Sequence, residues 1–140
     1  MLCLNQDAIG DQGLLALVDH LKDNGALNTV HLEKNSITDV GARGLGLLLQ
    51  DNYLLTMLNL SNNAISDKGC EYIGNALHTN HSLKHLKLAW NGIGTSGIMA
   101  LCDALQSNLS LLTLDVRWNQ IPDDGAKCIV QALKTNDVIS

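Results

Sequence analysis

Both tryptophans of the chain, Trp90 and Trp118, lie 28 residues apart in a sequence that has no Phe and only two other aromatic residues, Tyr53 and Tyr72. Arg117 and Lys87 flank them, with His85, Asp115, Met57 and Asn59 at related spacings. Large amphipathic rings beside cations are the chemistry of protein recognition rather than of bond making, because indole surface dominates the energetic centre of many interfaces. Catalytic chemistry has no comparable set of residues. The glycines recur at Gly41, Gly69, Gly97 and Gly125 instead of clustering into a phosphate-cradling loop, and no nucleophile has a base at motif spacing. Metal chemistry is no better served. His31 and His85 fall two strands apart, roughly 10 Å, which is too far to share an ion, and His78 and His81 have no further ligand beside them. Cys3, Cys70, Cys102 and Cys128 form no C-x-x-C pair and are expected to be reduced core thiols. No cofactor and no metal is expected.

The elements that must position these residues follow from one repeated pattern. It reads Leu27, Val30, Leu32, Asn35, Ile37; then Leu55, Leu58, Leu60, Asn63, Ile65; then Leu83, Leu86, Leu88, Asn91, Ile93; then Leu111, Leu114, Val116, Asn119, Ile121. A truncated leading copy supplies Leu2, Leu4, Asp7 and Ile9. The chain therefore divides into repeats of approximately 1–26, 27–54, 55–82, 83–110 and 111–138 within a single domain, 1–140. Alternation around each central Leu predicts a short half-buried strand, and apolar residues at helical spacing further on, such as Cys70, Ile73, Gly74 and Leu77, predict a helix. Asp11, Asp39, Asp67 and Asp123 are expected to cap their own helices, with Thr95 a weaker substitute. Asn24, Asn52, Asn80, Asn108 and Asn136 are expected to provide left-handed exits from the helices. A strand, a helix and an equivalent strand make a right-handed crossover, so the strands should be parallel in one sheet. Strands pack about 4.8 Å apart and helices about 8–10 Å apart, so the stack should curve with the sheet inside. Small residues on the helix flank, Ala16, Gly44, Ala100 and Ala76, Ala104, Ala132, with Gly46 and Gly74, soften that mismatch.

Four places per repeat then face the concave solvent: Thr29, His31, Glu33, Lys34; Met57, Asn59, Ser61, Asn62; His85, Lys87, Ala89, Trp90; and Thr113, Asp115, Arg117, Trp118. Trp90, Trp118, Arg117, Lys87, His85, Asp115, Met57 and Asn59 are the candidate partner-binding residues. The competing expectation is that the rings stack on each other or on the sheet edge, and that Asp115 and Arg117 simply pair.

The motif Leu-x-x-Leu-x-Leu-x-x-Asn-x-Ile-x-Asp-x-Gly resembles that of leucine-rich repeat proteins, in particular the ribonuclease-inhibitor-like subclass with its long helical repeats. The resemblance implies an α/β horseshoe solenoid with a concave parallel sheet and convex helices. It also implies a ladder of Asn35, Asn63, Asn91 and Asn119 bonded to loop backbone. Asp7 departs from that ladder, since a carboxylate only accepts hydrogen bonds, so the first repeat is expected to be the least well tied. The subclass includes ribonuclease inhibitors, activators of the Ran GTPase and cytosolic nucleotide-binding immune receptors, which act by presenting a surface. A protein-binding module is therefore expected, with a scaffold segment of a longer repeat protein or a small-GTPase regulator as alternatives.

Bulk properties narrow the partner class. A net charge of −5 and only nine Lys and Arg argue against nucleic acid and for a basic or amphiphilic protein. No signal peptide or spanning segment is recognisable, so a soluble cytoplasmic protein is expected, without a membrane role. Asn59, Asn80 and Asn108 begin N-x-S sequons that would matter only in the secretory pathway. The chain starts within a strand and stops as another repeat would open. Both ends are accordingly expected to expose core, through membership of a longer array or through self-association.

Overall fold

A computed structural model describes residues 1–139. Strands and helices alternate: β1 (Leu2–Cys3), α1 (Gly10–Lys22), β2 (Thr29–His31), α2 (Asp39–Asp51), β3 (Met57–Asn59), α3 (Asp67–Leu77), β4 (His85–Lys87), α4 (Thr95–Leu105), β5 (Thr113–Asp115) and α5 (Asp123–Thr135). The five strands form one parallel sheet in chain order, and each residue pairs with its equivalent in the next repeat, as in Val30↔Leu58, Leu58↔Leu86 and Leu86↔Leu114. The fold is an α/β solenoid. Among the described residues no helix is long and apolar enough to cross a membrane.

The repeated Leu positions build the core. Val30, Leu32, Leu58, Leu60, Leu86 and Leu88 point from the strands into the layer between sheet and helices and are fully buried, as are Ile37, Ile65 and Ile93 at the turn beyond them. The helices contribute Leu14, Leu45, Leu49, Ile73, Leu77 and Leu101. Close helix approach requires glycine at two places. A Cβ on Gly46 would stand 2.8 Å from the Tyr72 carbonyl oxygen, and one on Gly74 would stand 2.9 Å from that of Ala100.

The carboxylates do not cap their own helices. Thr38 and Ser66 do so locally, accepting from the Val40 and Lys68 N–H groups. Each Asp instead reaches the next repeat. Asp11 accepts from the N–H groups of Thr38 (2.9 Å) and Gly41 (3.0 Å) and from the Thr38 hydroxyl (2.6 Å). Asp39 does the same for Ser66 and Gly69, and Asp67 for Gly94 and Gly97. A side chain on the first turn of one helix lies beside the start of its neighbour, where orphan N–H groups and the positive end of the dipole attract a carboxylate. The series stops at the last junction, where Thr95 replaces Asp and Pro122, without an N–H, replaces the donor.

The asparagines after the helices are not left-handed exits either. Asn52 and Asn136 are extended, with φ of −91° and −108°. They belong to a second ladder along the lower rim. The Asn108 amide donates to the carbonyls of Leu77 (2.7 Å) and Asn80 (2.8 Å), while its oxygen accepts from the Ser110 and Leu111 N–H groups. Asn80 and Asn136 repeat the arrangement. The N-x-S sequences at Asn80 and Asn108 are thus turns in which the serine bonds the ladder.

Two measurements check this bonding scheme. Asp39→Ala strands three donors and is expected to lower unfolding free energy in urea by about 2 kcal/mol, while Asp123→Ala, with no acceptor role among the described residues, changes it little. Asn108→Ala leaves buried carbonyls and N–H groups unpaired and is expected to cost about 3 kcal/mol in the same assay.

Candidate functional site

Register across the sheet sets the concave face in rows. His31, Asn59, Lys87 and Asp115 form one row, and Thr29, Met57, His85 and Thr113 another. Cys3 pairs with His31 and is exposed at the head of the first row, so it is not a core thiol, whereas Cys70 and Cys102 are buried and Cys128 is half-buried. His85 Nδ1 lies 2.9 Å from the Thr113 hydroxyl. Met57, His31, Lys87 and Asp115 are half-buried.

The face is not open throughout, as expected from alternation alone. Asn59 is only 6% exposed, with Ser61 and Ala89 also buried. The short Asn59 side chain turns back onto its own strand, accepting from the Ser61 N–H at 3.0 Å, and its amide faces Glu33 at 3.5 Å. Glu33 also accepts from the Asn62 amide. Asn59 is therefore covered rather than presented, and Glu33, which the sequence marked only as a face position, organises the second and third repeats. Nothing in the alternation pattern distinguishes a side chain that points outward from one that folds flat.

Above these rows runs the upper asparagine ladder. The Asn63 amide donates to the carbonyls of Leu32, Leu60 and Ser61, and its oxygen accepts from the Asn35 and Ile37 N–H groups. Asn35 accepts from the Asp7 and Ile9 N–H groups of the first repeat, Asn91 from that of Ile65, and Asn119 from those of Asn91 and Ile93. The turn that presents each Asn inward puts the preceding residue into left-handed backbone. Gln6, Lys34, Asn62, Trp90 and Trp118 occupy that place with φ between 56° and 64°.

Tryptophan is an unusual occupant, since left-handed backbone costs a residue with a Cβ about 1–2 kcal/mol and indole has no acceptor to stabilise the turn locally. The two rings project side by side and stack, with centroids 4.9 Å apart and planes inclined by 17°. That separation is close to the strand spacing of about 4.8 Å, so the sheet sets the ring distance. Trp90 remains 52% and Trp118 67% exposed. The rings therefore both stack and present their outer faces. A stack is worth about 0.5–1.5 kcal/mol beyond its area, while the left-handed backbone is common to all five repeats and does not depend on indole.

Beside the rings, Arg117 makes a two-point bond to Asp115, Nε to Oδ1 at 2.9 Å and Nη2 to Oδ2 at 2.8 Å. This bond, above all, holds the Asp115 carboxyl below its usual pKa, with smaller contributions from the Arg117 N–H and from the Lys87 charge. The sign follows: the pair stabilises the fold above the ordinary carboxylate pKa, and that contribution disappears as pH falls through the lowered value. Lys87 and Lys84 enter no ion pair among the described residues. His78 turns to Ser107 and Asp103 on the helix side. Among the described residues no group of three His, Cys, Asp or Glu is placed to hold a metal.

With this geometry in hand, comparison with known proteins is decisive at one level. The profile described as "Leucine Rich repeat" matches residues 20–46, 52–74, 79–102 and 107–130. The chain belongs to the leucine-rich repeat family. No curated protein matches this leucine-rich repeat chain. Among solved structures it is similar to one described as leiomodin-1 actin-binding site 2, with 25% identity over 96% of this chain and 79% of that one, and a TM-score of 0.83. It also shares its fold with the tropomodulin C-terminal domain of Caenorhabditis elegans, at 19% identity over 95% of this chain and 80% of that one, with a TM-score of 0.78.

Trp118→Gly removes the stack but relieves left-handed backbone, and is expected to change unfolding free energy by less than about 0.5 kcal/mol, while the near-ultraviolet dichroism of the coupled indoles is lost. In Arg117→Ala the Asp115 carboxyl is expected to titrate upward toward the ordinary carboxylate range, as followed by NMR.

Proposed function

We propose that this leucine-rich repeat chain is a protein-recognition module whose partner seats on the stacked Trp90 and Trp118 rings, with Arg117, Lys87, His85, Asp115 and Met57 forming the surrounding contact surface. The observation that carries this reading is a stacked aromatic pair, more than half exposed, at a place that Gln6, Lys34 and Asn62 fill with polar groups in the other repeats. Exposed aromatics next to a guanidinium match the composition of interface centres. Asn59, being covered, contributes by shaping the face through Glu33. The 28-residue strand and helix period supports placing the chain in the ribonuclease-inhibitor-like subclass, with repeats of approximately 1–26, 27–54, 55–82, 83–110 and 111–138 in one domain. Free thiols in the core are in keeping with a reducing, cytoplasmic setting.

Local charge refines the partner. Although the chain carries −5 overall, Lys87 stands beside Asp115 on the concave row and enters no ion pair among the described residues, while the Arg117 charge is balanced by Asp115. A partner with an apolar anchor flanked by acidic groups complements this part of the face better than the basic partner suggested by total charge. The likeness to leiomodin-1 actin-binding site 2 makes actin the first protein to test.

The test compares the wild-type chain with Trp90→Ala/Trp118→Ala, both shown to be folded by circular dichroism, in co-sedimentation with purified actin and in affinity capture from cytosolic lysate. Loss of a bound protein from the double variant is the expected result, with each Trp weakening Kd by about 30-fold, equivalent to about 2 kcal/mol. Equal capture by both forms would move the binding surface to the convex helices and would favour the scaffold reading. A Trp-dependent partner other than actin, a small GTPase included, would keep the concave site and change its ligand.

A further inference from the structure

The same relation between neighbouring helices recurs along the stack, and at its last junction it brings two cysteines together. Position 46 of α2 lies against position 72 of α3, and position 74 of α3 against position 100 of α4; the equivalent pair between α4 and α5 is Cys102 and Cys128. At the first two junctions the left-hand residue is glycine, and a Cβ built there would stand 3.3 Å from the Tyr72 Cβ and 3.4 Å from the Ala100 Cβ. With a real Cβ at Cys102 the helices must separate by a few tenths of an ångström, which brings the expected Cβ to Cβ distance into the range of about 3.5–4.5 Å that a disulfide spans. The Cys128 thiol is near enough to contribute, after burial, to raising the pKa of Cys102.

We propose that Cys102 and Cys128 form an oxidation site, a thiol pair that closes into a disulfide between α4 and α5 on exposure to a peroxide. Cys128 is half-buried and is the sulfur a peroxide can reach, whereas Cys102 is 2% exposed. Hydrogen peroxide transfers one oxygen to the Cys128 sulfur, giving a sulfenic acid and one water. The Cys102 sulfur then attacks the Cys128 sulfur, the S–O bond breaks, and the leaving hydroxide takes up the Cys102 proton as a second water. Two thiols are oxidised and one peroxide is reduced. Burial pushes the Cys102 thiol up to about 12, so it stays protonated and is a poor first target for peroxide; in the second step its proton must leave with the hydroxide as the S–S bond forms.

The junction is the one where a covalent tie has most to add. It lacks the carboxylate bond that links the earlier helices, because Thr95 and Pro122 have replaced the acceptor and the donor. Its packing also surrounds an apolar cavity of about 120 Å³, lined by Ile98, Leu101, Cys102, Leu105, Ile129 and Leu133 among others.

The full chain treated with hydrogen peroxide, denatured and alkylated with N-ethylmaleimide is expected to take up two labels instead of four, to lose the mass of two hydrogens, and to yield a peptide linking Cys102 to Cys128. Its melting temperature should rise by several degrees and return on reduction with dithiothreitol. Cys102→Ser and Cys128→Ser, checked for folding by circular dichroism, should not close, while Cys3→Ser and Cys70→Ser should close as the wild type does. Retention of four reactive thiols, a bridge from Cys70 or between chains through Cys3, or oxygen addition at Cys128 without closure would each overturn the proposal.

Discussion

Every repeat in this protein leaves part of its backbone unbonded and relies on the next repeat to complete it. The upper asparagines, the lower asparagines and the aspartates at the helix starts all act across a junction, joining residues 26 to 31 positions apart. Sheet pairing with the same offset brings each of these side chains within reach of its target. A buried amide or carboxylate without its partner costs about 1–3 kcal/mol, so a slip of one residue would forfeit many bonds at once. Leucine packing supplies the driving force for stacking, and this polar bonding sets its register.

The proposed recognition surface is a by-product of the same turn. To aim each upper asparagine inward, the preceding residue must adopt left-handed backbone, and its side chain is then free of the core and free of the sheet. Lys34 and Asn62 use that place for polar groups, whereas Trp90 and Trp118 use it for two rings at the spacing of the strands. The backbone cost is set by the ladder and is incurred whatever side chain stands there. Choosing indole twice makes the place hydrophobic, and the two-point bond from Arg117 to Asp115 pairs the neighbouring charges with each other.

The last junction departs from the others in a coordinated way. Loss of the aspartate at Thr95 coincides with loss of its donor at Pro122, and the glycine that lets earlier helices approach closely is replaced by Cys102. An apolar cavity opens beneath α5, and because α5 is the last helix of the described stack its Leu133 and Val130 remain exposed where the equivalent Leu105 and Cys102 of α4 are buried.

The one-dimensional sequence determined the α/β solenoid, the five strands and helices, and the rows of residues on each face, because both periodicities, two for strand and 3.6 for helix, are local and repeat without interruption. It also singled out the two tryptophans by their shared place. What it did not determine were bonds whose partners are a whole repeat away. The aspartates looked like caps for their own helices and serve the next ones; the lower asparagines looked like left-handed exits and are extended rungs of a second ladder; Asn59 looked presented and lies flat. In each case the type and place of the residue were legible, but the direction of its side chain was set by the neighbouring repeat. Only stacking in three dimensions brings that neighbour within hydrogen-bond distance.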